Sequence, residues 1–188
     1  VISGMGELHL EIIIDRLLRE FNTQVNVGKP RVVYRETIQK KVEIERIFEK
    51  ELGDKKHFGQ VRLILEPLER GNGVEFIRQI DGAVIPQEYY DAIEEGIHEA
   101  SLSGCLSGYP LVDIRVRLIG GSYREGDASA LGYKIAAGSA FKDGCAQAQP
   151  IQLEPVMDVD VITPSEFMGD VIGDIHGRRG EIQAVTPK

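Results

Sequence analysis

Apolar residues recur at three- and four-residue intervals near the start of the chain. Leu10, Ile13, Ile14, Leu17 and Phe21 would share one face of a helix over 7–21, with Arg16, Arg19 and Glu20 on the other. The interval then shortens to two, Val25 and Val27 alternating across 23–27, and Gly28-Lys29-Pro30 closes the unit. One helix and one strand cannot close a core, so this pattern predicts the tail of a domain whose first half lies outside the chain. Alternation dominates the middle. Strands are predicted over 32–38, 42–48, 58–65 and 74–80, the second setting Val42, Ile44 and Phe48 against Glu43, Glu45 and Glu49. Between the second and third lies a polar hairpin, 50–57, turning at Gly53-Asp54. Pro86 opens a helix with Tyr89, Ile93, Ile97 and Ala100 along one side. A strand over 111–119 places Val112, Ile114, Val116 and Leu118 opposite Asp113, Arg115 and Arg117. The next helix, 128–144, carries the small residues Ala136, Ala137, Gly138, Ser139 and Ala140, which permit close approach to a sheet. This β-β-β-(β)-α-β-α order predicts a two-layer α/β (α+β) sandwich.

A link over 149–155 leads to a third unit, with a strand over 156–162 and a helix over 164–175. Thr163 is its predicted cap, Pro164 its first residue, and Glu166 stands three residues after the cap. Phe167, Met168, Val171 and Ile172 form its buried side, and a turn over 177–180 leads to a strand over 181–185. A β-α-β unit this short cannot bury both faces of its sheet. The chain therefore reads as one intact domain between pieces of two others, an interior fragment of something longer.

Composition narrows the function. With 42% hydrophobic residues the chain supports a folded core, and with 6% aromatics and no Trp that core is aliphatic. A formal charge of −8 opposes long-range attraction to nucleic acid, which argues against a free-standing DNA-binding domain but not against local contact within a larger assembly. Cys105 and Cys145 belong to no short-spacing motif and read as two free thiols in a reducing cytosol. No apolar run approaches the roughly 18 residues of a membrane span, and no signal peptide opens the chain.

Catalytic chemistry is not legible. There is no Walker-type phosphate loop, and Gly4-x-Gly6 follows no predicted strand. His9, His57, His98 and His176 are scattered, with no metal-ligand spacing, and no nucleophile stands beside a base. Neither a catalytic residue, a metal site nor a cofactor is expected. What remain are two polar loops, 53–57 and 120–126, both leaving strands of the central domain. Emerging at the same end, they would gather Lys55, Lys56, His57, Tyr123 and Arg124 into a polar, locally basic tip. There the cations could meet phosphates and Tyr123 could stack on a base. The bland reading is a lysine-solvated hairpin. Arg178 and Arg179, on a tight turn, suit backbone phosphates as well as they suit pairing with Asp170, Asp174 or Glu181.

Four segments, in this order and spacing, resemble the bacterial elongation factor G family. They are Ser3-Gly-Met-Gly-Glu-Leu-His-Leu-Glu11; Val27-Gly-Lys-Pro30 with Tyr34-Arg-Glu-Thr37; Gly120-Gly-Ser-Tyr123; and Glu166-Phe-Met-Gly-Asp-Val-Ile-Gly-Asp174 with Arg178-Arg-Gly180. The resemblance implies that 1–30 end a ferredoxin-like domain III, that 31–152 form a domain IV with a left-handed β-α-β crossover, and that 153–188 begin a ferredoxin-like domain V. It implies a cytoplasmic factor whose absent N-terminal domains bind GTP and Mg²⁺ and drive tRNA–mRNA movement on the ribosome. Domain IV then contacts RNA at the decoding region through Gly53, Asp54, Lys55, Lys56, His57, Gly121, Ser122, Tyr123 and Arg124. Arg178 and Arg179 then face large-subunit rRNA. Arg124 stands where the family usually has His, residues 52–59 keep only the terminal Gly and a preceding aromatic of the family's loop, and His176-Gly177 replace a frequent Asn-Ala. A ribosome-recycling or ribosome-protection GTPase is the neighbouring reading. A stand-alone RNA- or protein-binding module is the reading from a different class.

Overall fold

The computed structural model describes residues 7–27, 33–52, 55–80 and 84–186. These fall into two compact units, residues 1–155 and 156–188. In the first, helix α1 spans Glu7–Glu20. Its predicted stripe of Leu10, Ile13, Ile14 and Leu17 is half-covered, while Leu8, Ile12 and Phe21 are exposed.

Strands β2 (Val42–Leu52), β3 (Lys55–Pro67), β5 (Ile114–Ser122) and β4 (Val74–Arg78) form a four-stranded sheet in the order β2-β3-β5-β4. β3 is antiparallel to both neighbours, whereas β4 runs parallel to β5. Parallel neighbours need a crossover, and helix α2 (Tyr90–Ser101) supplies it after a 3-10 turn at Gln87–Tyr89. Helix α3 (Ala130–Gln147) packs beside α2 and across β2 and β3. The shared core takes Val61, Leu63 and Leu65 from β3, Ile114, Val116 and Leu118 from β5, and Ile93, Ile97, Tyr133, Ala137 and Phe141 from the helices. Close approach of the helices needs small residues: a Cβ at Gly96 would stand 2.3 Å from the Lys134 carbonyl oxygen.

The structure departs from the sequence pattern at several ends. β5 begins at Ile114 instead of 111, because Asp113 turns the backbone into the left-handed region at φ 60°. Leu111 makes a lone parallel bridge to Glu36. The predicted link over 149–155 contains strand β6 (Pro150–Leu153), antiparallel to β1 (Arg35–Ile38) in a second, two-stranded sheet. Pro150 is tolerated as the first residue of that strand. Segments 23–27, 156–162 and 181–185 have alternating sequences but form no strand, since alternation supplies a face and not a hydrogen-bonded neighbour.

Two carboxylates are buried, Glu36 and Asp113, the second of which alternation sets on the face opposite the apolar residues. Glu36 is fully enclosed and accepts N–H bonds from Cys105, Leu106, Ser107 and Tyr109 at 2.7–3.2 Å. Asp113 Oδ1 accepts from the backbone of Gly71, Asn72 and Gly73. Each carboxylate pins a loop that has no regular structure of its own. Burial pushes both the Cys105 and Cys145 thiols up, leaving them poor nucleophiles.

In the second unit a 3-10 turn at Ser165–Phe167 leads into α4 (Met168–Gly177). Pro164 is extended (ψ 147°) and precedes the turn, and the Thr163 hydroxyl donates to the Pro164 carbonyl at 3.5 Å, so the predicted cap does not form. None of α4 is buried, and Phe167 and Met168 are exposed.

Candidate nucleic-acid interface

The β3–β5 register brings the two predicted loops to one end of the sheet. Gln60 pairs with Ser122, so the hairpin joining β2 to β3 lies beside the exit of β5. The chain then loops out over 123–127 and returns to the hairpin at Ala128, which bridges to Phe58. Phe58 N–H donates to the Asp127 carbonyl at 2.8 Å, and Ser129 N–H donates to the Phe58 carbonyl at 3.2 Å. Directly behind, Gly59 and Gly132 meet backbone to backbone: a Cβ on Gly132 would lie 2.5 Å from the Phe58 oxygen. Of the predicted tip residues, Gly53 and Asp54 lie outside the described residues. Lys55, Lys56, His57, Gly121, Ser122, Tyr123 and Arg124 are brought together.

Their chemical settings differ. Lys55 and Lys56 are exposed, with no ion pair among the described residues. His57 is half-buried, its Nδ1 2.9 Å from the Ser129 hydroxyl, and that hydroxyl also accepts from Gly132 N–H to cap α3. Gly121 has no room for a side chain: a Cβ would stand 2.2 Å from the Gln60 oxygen. Ser122 accepts, through its carbonyl, the Tyr133 hydroxyl at 2.7 Å. Burial, with Tyr89 and Tyr123 nearby, pushes Tyr133 up to about 12, so it remains a neutral donor. Tyr123 is 42% exposed and 6.2 Å from the Tyr89 ring, which itself stacks at 4.8 Å on Tyr133. An aromatic column thus runs from the core to the tip surface.

Arg124 stacks its guanidinium 4.1 Å from the centroid of Phe58, and its Nη1 donates to Glu49 Oε1 at 3.0 Å. Both ends of that ion pair are about half exposed, a setting in which such pairs contribute about 0–1 kcal/mol. The tip is also less basic than the lysines suggest. Lys50, Lys55, Lys56 and Arg124 are offset by Glu49, Glu51, Glu125 and Asp127 in the same segments, and a shallow depression is lined by Glu49, Lys50, Glu51, Lys56, His57, Phe58 and Asp127. Sequence reading missed Glu49, Phe58, Ser129 and Tyr133. Its one available signal was the Phe58-Gly59 pair entering a strand directly from a polar hairpin.

In the second unit, α4 ends in two crossed bonds, Gly180 N–H to the Ile175 carbonyl and Arg179 N–H to that of His176. Arg179 takes the left-handed position at φ 65°, where glycine is the usual occupant. Arg178 pairs with Asp174 at 2.8 Å, both largely exposed. No cluster of metal-ligating side chains occurs among the described residues, and no helix among them is long and apolar enough to cross a membrane.

The first unit is thus a helix-backed sheet that presents two adjoining loops at one end. The chain's family follows from comparison. Residues 30–149 match the family model for elongation factor G, domain IV; residues 151–188 match that for the elongation factor G C-terminus; residues 1–29 match that for elongation factor G, domain III. The chain belongs to the elongation factor G family. The three matches leave no stretch of it for a GTP-binding domain. It is similar to elongation factor G 2 of Syntrophus aciditrophicus (strain SB), 63% identical over 188 residues that make up 100% of this chain and 28% of that protein. A crystal structure of a Thermus thermophilus protein is similar at a TM-score of 0.81 and 40% identity, covering 98% of this chain and 27% of that one. The chain thus spans little more than a quarter of the length of either.

Proposed function

We propose that this chain is the ribosome-contacting C-terminal part of an elongation factor G-like GTPase that promotes tRNA–mRNA translocation in the cytoplasm. Residues 1–30 close a ferredoxin-like domain III, 31–152 form the domain IV arm with a left-handed crossover through α2, and 153–188 open a ferredoxin-like domain V. GTP and Mg²⁺ belong to upstream domains of the intact factor. No step of their chemistry runs through the residues described above.

The observation that carries this reading is the register setting Lys55, Lys56 and His57 beside Tyr123 and Arg124 at one end of a stiff sandwich. The role is steric and electrostatic. The two lysines meet phosphates, Tyr123 offers a stacking face continuous with the core, and the small-residue contacts behind keep the tip from yielding under load. Arg178 and Arg179 form a second, large-subunit-facing contact. A net charge of −8 gives the arm no long-range pull on RNA. Its encounter with RNA is therefore delivered by the rest of the factor, as an intramolecular event at high effective concentration.

The test is kinetic. In the full-length protein, Arg124→Ala is expected to slow single-turnover tRNA–mRNA movement about three- to tenfold, through loss of tip geometry. Ribosome-stimulated GTP turnover should stay within about twofold of the parent, because that chemistry lies elsewhere. Equal loss of both activities, or of neither, contradicts the reading.

A further inference from the structure

Arg124 carries the guanidinium of the second tip loop, and two neighbours already hold it. Glu49 and Phe58 are directly opposed across the β2–β3 hairpin, so their side chains stand on the same face. One Glu49 carboxylate oxygen accepts a hydrogen bond from Arg124 Nη1 at 3.0 Å while the Phe58 ring, itself without solvent exposure, lies 4.1 Å below Cζ. A planar cation can satisfy both partners at once, its edge toward the carboxylate and its face on the ring. The loop's outgoing end is therefore fastened by Arg124, and its returning end by the Phe58–Asp127 and Ser129–Phe58 bonds. Lys55 and Lys56 have no comparable partner among the described residues.

We propose that Arg124 is a positioning residue and not a phosphate ligand, and that Glu49 makes it one. Glu49 draws the guanidinium down over Phe58 and so fixes residues 123–128 in the shape that presents Tyr123. Phosphate recognition falls to Lys55 and Lys56. This rests on the tip being the RNA-contacting end of the arm.

The experiment measures tRNA–mRNA movement by the full-length protein across a salt series, for E49Q, R124Q, the E49Q/R124Q pair and K55Q/K56Q. E49Q and R124Q are each expected to lower the maximal rate about three- to tenfold. The double variant should be no slower than the slower single, because Glu49 acts through Arg124. The log–log salt slope of half-saturation should match the parent in R124Q and fall by about one for each lysine removed in K55Q/K56Q. A slope reduced by about one in R124Q makes Arg124 a phosphate ligand and overturns the proposal. Multiplying losses in the double variant overturn it as well. If R124Q and K55Q/K56Q all move tRNA–mRNA at the parental rate, the functional reading of the tip fails and this inference with it. A slowed R124Q with the wrong slope or additivity sinks the inference alone.

Discussion

Glu36 is the most deeply buried charge among the described residues, and its confinement has consequences for pH. Burial alone raises a carboxyl, but N–H donors from Leu106, Ser107, Tyr109 and Cys105 outweigh it and hold Glu36 below the usual carboxylate range. Because the folded value is depressed, the ionised group contributes stability that is fully present above the unfolded value of about 4.3. That contribution is lost as pH falls through the lower folded value. Glu36→Gln keeps the shape but turns an NH₂ toward backbone donors, so it should cost about 2–4 kcal/mol in urea unfolding at neutral pH. It should also flatten the acid limb of stability against pH. Unchanged stability, or an unaltered acid limb, would contradict this account. None of this is legible in the sequence: the partners of Glu36 lie about 70 positions away, and a glutamate in an alternating segment reads as solvated. Arg124 and Glu49, 75 positions apart, are hidden for the same reason.

At the scale of elements, sequence pattern finds what depends on local periodicity. Three- and four-residue spacing finds helices α1, α2 and α4, although only in α2 is the apolar stripe buried, and alternation finds β2, β3 and β4. Pairing is harder to see. β6 is four residues opening on proline, and only β1, more than a hundred residues earlier, makes it a strand. Conversely, 156–162 alternates cleanly yet has no partner strand among the described residues. Small residues stand out in the middle of α3, but a close backbone-to-backbone contact lies at its first turn, where Gly132 meets Phe58-Gly59. A methyl there must displace backbone, since the Phe58 carbonyl carbon would stand 2.6 Å away. Gly132→Ala should therefore destabilise the first unit by about 1–3 kcal/mol in urea unfolding and raise amide exchange at Ser129 and Tyr133. Parental stability would show that α3 and β3 are not packed as described.

For the whole molecule, the candidate tip is half legible. Both loops can be named from their polarity, but their meeting depends on β3 and β5 being neighbours in a register no spacing reveals. The expected basic character does not survive contact with the structure, because Glu49, Glu51 and Asp127 share the same end. A nearly neutral tip on an acidic chain fits an arm placed by its tether better than one drawn in by its own field. The central claim is that this end of the sandwich meets RNA while the opposite end does not. Leu106, exposed in the loop ahead of β5, is separated from the tip by that nine-residue strand, about 30 Å long. The most direct measurement tethers a hydroxyl-radical-generating iron chelate to K56C or to L106C in the full-length factor, cleared of other reactive thiols and bound to ribosomes. Strand scission of small-subunit RNA in the decoding region from position 56, with little there from position 106, is the predicted result. Equal scission from both, or scission from position 106 alone, would contradict it.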